Sequence, residues 1–192
     1  MKRVLCLLMV AVMCLGLTGC ASEKKANVTG EWYVLVLGKL DESIARQPTK
    51  LTDLPEAMQA EWSGCEVTFR KVSDSLTIIE MIDGDEVALM FAHLEASGDW
   101  ALYGVDRVGQ YAWFKDGEGA TGWLDNKDNA DPFTYTLSGN TLTLSTDDTS
   151  RAGEVEMWDK NVLILTQDDE RGLDQWAFIR VDKLLNDGLR LK

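Results

Sequence analysis

The chain has 192 residues, with 19 Lys and Arg against 32 Asp and Glu and a formal net charge of −13. So acidic a chain is ill suited to nucleic acid, whose phosphates need Lys and Arg to neutralise them, and to a polybasic grip on anionic lipid. Its length suits one domain that buries a core without disulfides or metal.

Lys2 and Arg3 open the chain and an apolar run from Val4 to Leu17 follows. That run is shorter than the ~20 residues a spanning helix needs. A basic start, a short apolar stretch and small residues at its end read as a secretory leader over residues 1–19. The leader ends in Leu17-Thr18-Gly19-Cys20, which resembles the lipobox of bacterial lipoproteins. The resemblance implies cleavage after Gly19, a lipid on Cys20, and a protein held to a membrane of the bacterial cell envelope. Ala21 carries no Asp retention signal, so by the same resemblance the outer membrane is a plausible address. Cleavage removes Lys2 and Arg3 and no acid, so the mature chain is more acidic still. Cys6 and Cys14 leave with the leader. Cys65 remains and reads as a small buried residue at the start of a strand. Residues 20–27 carry no apolar pattern and read as a lipidated tether, leaving 28–192 as the folded domain.

The domain is dominated by period two. In the first strand Trp32, Val34 and Val36 face one side and Tyr33, Leu35 and Leu37 the other, until Gly38. Apolar residues on both faces predict burial on both sides. Leu54, Met58 and Trp62 recur at intervals of four, which predicts a helix over 51–62 with Thr52 or Asp53 as cap and Pro55 in its first turn. From Cys65 onward the pattern predicts strands at 66–71, 75–82, 87–94, 100–103, 107–115, 133–137, 141–145, 154–158, 162–166 and 175–181. Asp83-Gly84-Asp85, Ser138-Gly139-Asn140 and Asp159-Lys160-Asn161 read as tight turns. The clearest alternation puts Phe133, Tyr135 and Leu137 inward with Leu142 and Leu144 opposite them. Residues 183–189 suit a last turn or two of helix. About ten short antiparallel strands must hide their edges, in a barrel or a sandwich.

Gly30-Glu31-Trp32 resembles the G-x-W motif on the first strand of lipocalins and related calycin barrels. In that family the Trp plugs the closed end and an Arg of the last strand crosses its indole, which implies a barrel-closing pair of Trp32 and Arg180. The layout, with Tyr135–Leu144 and the closing segment Trp176–Val181, is similar to lipocalin-like lipoproteins common in Bacteroidetes. The resemblance implies an antiparallel barrel of 8–10 strands, with a short helix in the first long loop and a short C-terminal helix. It implies that residues 39–64 lid the open end and that the barrel binds a small, largely apolar ligand or an envelope partner. Met58, Trp62, Met81, Met90, Tyr111 and Trp113 are the candidate liners. Neither a second lipocalin motif of the T-D-Y type nor the family's usual disulfides is evident.

Two other readings use the same residues. A barrel filled by its aromatics would be a structural or protein-interaction module without a cavity. A sandwich with an outward Trp would stack on sugar rings. Adjacent strand residues face opposite ways, so one of Trp113 and Phe114 faces out, and Trp113 and Trp123 are the glycan-stacking candidates. No catalytic set is expected. His93 is the only His, no G-x-S-x-G elbow supports a triad on it, and it shares a strand face with Val87, Leu89 and Phe91. One His and one Cys do not supply a zinc shell. The acidic loops around Asp83, Asp125, Asp147 and Asp168 do not match the spacing of an EF-hand calcium loop. No cofactor is expected.

Overall fold

The computed structural model describes residues 26–124, 126–169 and 172–185; the leader, Cys20 and nearly all of the tether lie outside them. The described residues are almost all strand: β1 (Gly30–Ile44), β2 (Glu66–Ser73), β3 (Leu76–Asp83), β4 (Glu86–Leu94), β5 (Trp100–Lys115), β6 (Glu118–Trp123), β7 (Asp131–Ser138), β8 (Thr141–Ser145), β9 (Ser150–Asp159), β10 (Val162–Asp169) and β11 (Gly172–Arg180). One short helix, α1 (Glu56–Glu61), lies between β1 and β2, and a single π-helical turn (Val181–Leu185) follows β11.

Every pairing is antiparallel, and β1 pairs with β11 on one edge and with β5 on the other. The ring β1-β11-β10-β9-β8-β7-β6-β5 therefore closes into a barrel of eight strands. The fold is all-β and antiparallel, as the alternation predicts.

The remaining three strands do something the pattern does not reveal. β5 is one strand of 16 residues where two are expected. Its C-terminal half pairs with β6 inside the ring, and its N-terminal half pairs with β4 outside it. From there β4, β3 and β2 continue as an outer sheet. β1 accompanies β5 along both halves and runs on past Gly38, which sits opposite Gly104 rather than ending the strand.

Three cores result. Trp32 and Val34 of β1 point into the barrel with Phe114, Leu142, Val155 and Phe178. Tyr33, Leu35 and Leu37 point the other way and pack with Ile78, Phe91, Tyr103, Trp158 and Ile164. The outer sheet is thus folded back against the outside of the barrel, and β1 is buried on both faces because it belongs to both layers. The third core lies on the far side of the outer sheet, where Leu54 and Met58 cover Ile79, Met81, Met90 and Leu102.

The helix is shorter than expected, with a cause that can be named. Leu51–Asp53 makes a 3₁₀ turn, Leu54 is extended, and only Glu56–Glu61 is α-helical. A residue before Pro avoids the α region, so Pro55 splits the run. Asp53 does not cap α1; its carboxylate accepts the backbone N–H groups of Thr49 and Lys50 and a hydrogen bond from Arg46. The Thr49 N–H contributes most to holding its pKa at about 2. No strand is expected between 115 and 133, yet Glu118–Trp123 forms β6. A Cβ at Gly119 would overlap the Phe133 ring and the Trp113 carbonyl, and one at Gly122 would crowd Ala130. These glycines mark close approach of neighbouring chain. Every strand pairing and all three cores lie between Ala26 and Val181, so residues 21–192 hold every described contact.

Candidate functional site

The two ends of the barrel are built differently. At one end β1 begins and β11 stops, so Trp32 and Arg180 are direct register partners. The Arg180 guanidinium lies 3.9 Å from the centre of the Trp32 ring, a cation–π contact worth ~0.5–2 kcal/mol. The Trp32 indole is fully buried and donates from Nε1 to the Val28 carbonyl at 2.7 Å. Arg180 donates to the carbonyl of Thr29. Between them Gly30 has φ of +123°, and a Cβ there would overlap the Arg180 guanidinium. The G-x-W glycine is therefore required by both backbone and side-chain geometry. Ala26 and Val28 pack into the same core, and this end is closed.

The other end opens into a cavity of about 320 Å³, within the range of small-molecule sites. Its wall is apolar: Val34, Ala112, Phe114, Phe133, Leu165 and Phe178, with Leu144 and Trp176 nearer the opening. Polar side chains also line it: Gln110, Thr121, Thr146, Thr149, Arg151 and Gln167. The inward-facing row of each strand changes character toward the mouth. β10 runs Leu163, Leu165, Gln167; β8 runs Leu142, Leu144 to Thr146; β5, read backwards, runs Phe114, Ala112, Gln110. The result is an apolar chamber with a hydrogen-bonding rim, and none of its described lining residues is acidic.

None of the six expected liners is among these residues. Met58, Met81 and Met90 lie together under α1, with Trp62 packed against them, in the core outside the barrel. The segment 39–64 covers the outer sheet there and does not lid the mouth, because β2 is not a barrel strand. Tyr111 is buried on the other face of β5 from the cavity residues Gln110 and Ala112. Burial, with a hydrogen bond to Glu31, raises its pKa to about 12. Phe114 is the inward partner of the Trp113–Phe114 pair, and Trp113 borders an outer groove with Asp131, Asp147 and Asp148. Trp123 is 56 % exposed, the one exposed large apolar side chain among the described residues. It ends β6 two residues beyond Thr121, on the same strand face, and so stands at the mouth.

His93 belongs to the core between barrel and outer sheet. Its ring stacks on Trp158 with centroids 4.1 Å apart and planes within 8°. Tyr103 packs on the same indole and donates to Glu95, which Lys39 also holds at 2.6 Å. Burial lowers the His93 pKa, against the pull of Glu156 and Glu95. Among the described residues no three His, Cys, Asp or Glu side chains converge as a metal shell; Asp125 lies outside the described residues.

The cavity residues most informative about a ligand, Arg151, Gln110 and Gln167, are absent from the sequence-based candidates. One signal could have found them. Counting back by twos from Val155 gives Gly153 and Arg151, but the expected strand begins at Glu154, four residues after the true start at Ser150. Comparison with models of known protein families, with curated proteins and with solved structures finds no match.

Proposed function

We infer that this chain is a membrane-anchored binding protein whose barrel takes up a small, largely apolar ligand through its open end. The cavity carries this reading: an apolar wall with a polar rim is what a ligand with a large apolar part and few polar atoms requires. Covering that wall contributes about 25 cal/mol per Å² of apolar surface, before the cost of ordering the ligand. The anchor rests on Leu17-Thr18-Gly19-Cys20. If Cys20 is lipidated, six Cα-to-Cα steps, across five intervening residues, separate it from Ala26, which packs at the closed end. Fully extended they reach roughly 20 Å. The closed end then sits by the membrane and the mouth faces away from it, so ligand exchange takes place with the aqueous compartment or with a partner there.

The test is native mass spectrometry of residues 21–192, gently purified, beside the denatured mass. The expected result is a reproducible extra mass that is lost on denaturation or displaced by an added apolar compound. A bare protein that takes up no apolar compound when titrated would move the reading to a structural module.

A further inference from the structure

Resting on the cavity reading above, we propose that the ligand is an anionic amphiphile whose head group is met by Arg151. A single apolar chain fills the chamber, and a carboxylate or similar acidic head lies at the mouth.

Arg151 is on the cavity-lining face of β9, in alternation with Gly153 and Val155. It is the only cationic side chain among the described lining residues. Several other cations of the domain are engaged, such as Lys39 with Glu95, Arg46 with Asp53, Lys71 with Asp74, and Arg180 with Trp32 and the Thr29 carbonyl, whereas others, such as Arg70 and Lys115, stand free among the described residues but away from the cavity lining. The Arg151 side chain has no ion pair or hydrogen bond among the described residues, although acids far outnumber bases in this chain. Asp147 and Asp148 come from the same β8–β9 hairpin and border the groove beside Trp113, which shares Phe133 and Thr146 with the cavity, but they do not line the cavity wall itself. The mouth therefore offers a guanidinium with no acidic partner among the described lining residues.

Its neighbours suit an acidic head. A Cβ at Gly153 would overlap Leu165 and Gln167. With no side chain there, Gln167 crosses β9 close to Arg151, and Gln110 and Thr149 complete the polar rim. A guanidinium presents two parallel N–H groups to a carboxylate, and such charge-assisted bonds are the stronger kind. Below the rim, Phe114, Phe133 and Phe178 offer only apolar surface. At roughly 30 Å³ for a small heavy atom with its hydrogens, by the share of a water molecule in the liquid, 320 Å³ holds about ten such atoms. That is the tail of a medium-length acyl chain and not of a bulky polycycle.

The test titrates residues 21–192 with decanoate, decanol and decylamine by calorimetry, in the unaltered sequence and in Arg151→Gln and Arg151→Lys. We expect decanoate to bind about tenfold more tightly than decanol and decylamine to bind weakest. Arg151→Gln removes the preference for decanoate while leaving decanol affinity within about twofold; Arg151→Lys keeps part of it. Arg151 is exposed at the mouth, so both variants should melt with the unaltered protein, which circular dichroism checks. Decanol binding equal to decanoate, or a preference that survives Arg151→Gln, overturns the proposal and leaves the apolar cavity standing. No binding of any of the three overturns both.

Discussion

The inside of the barrel and the layer between barrel and outer sheet are made from the same strands and finished differently. β1 supplies Trp32 and Val34 to the first and Tyr33 and Leu35 to the second. Between the layers the side chains meet from two sheets, and Leu35, Leu76, Ile78, Phe91, Val162 and Ile179 are essentially without solvent contact. Inside the barrel the closed end is equally tight around Trp32, but toward the mouth Tyr135, Leu144 and Trp176 are only partly buried and a cavity remains. The interlayer is thus the main source of rigidity, and the barrel can leave space at one end because its outer face is braced by a second sheet. A small barrel has to fill its own interior when nothing else supports it; this one is covered on one side instead.

The largest expected effect tests that division. Phe91→Ala in the interlayer should cost about 3–5 kcal/mol, and Leu144→Ala at the mouth about 1 kcal/mol, since its surroundings are already partly open. Urea unfolding would measure both. Equal losses would break the comparison and mean that the mouth is as structural as the interlayer. The Leu144 variant should instead show its effect in ligand affinity.

A smaller effect sharpens the contrast between the two ends of the barrel. Gly30→Ala places a side chain at a φ of +123° and against the Arg180 guanidinium. The backbone strain alone costs about 1–3 kcal/mol, and the Trp32–Arg180 contact is lost in addition. Gly139→Ala, at a φ of +61° in an open turn with nothing near its Cβ position, carries only the smaller cost of the left-handed helical region and no clash. A thermal melt in which the two variants fall equally would mean that Arg180 does not brace the closed end.

The smallest effect is a pH dependence of the interlayer. Burial holds the His93 pKa below its usual 6.5, so the unfolded chain takes up a proton before the folded one does. That stability is fully present above about pH 6.5 and is lost as pH falls from there toward the depressed folded value. Urea midpoints between pH 7.5 and 5.5 would show it, and His93→Gln should flatten the slope. A native slope equal to that of the variant would place the pH dependence elsewhere.

Local pattern alone determined most of the strands and their faces, though not β6 or the continuity of β5. Alternation identified both apolar faces of β1, the inward rows of β7 and β8, and the face of His93, because side chains on a strand alternate whatever it pairs with. G-x-W and the late Arg marked the pair that the register brings together at the closed end, since a glycine at positive φ and a ring under a guanidinium leave a local signature. The tertiary structure alone decided which strands closed the ring. Nothing in β2, β3 or β4 distinguishes a strand of a barrel from one laid against its outside, for both are apolar on the faces they bury. That choice is made by β5, long enough to pair with β6 in one half and β4 in the other. It removed Met58, Trp62, Met81 and Met90 from the chamber and put the cavity under Arg151, Gln110 and Gln167. Polar residues on a cavity wall look like solvent-facing residues in a sequence, and only the closure of the ring turns them inward.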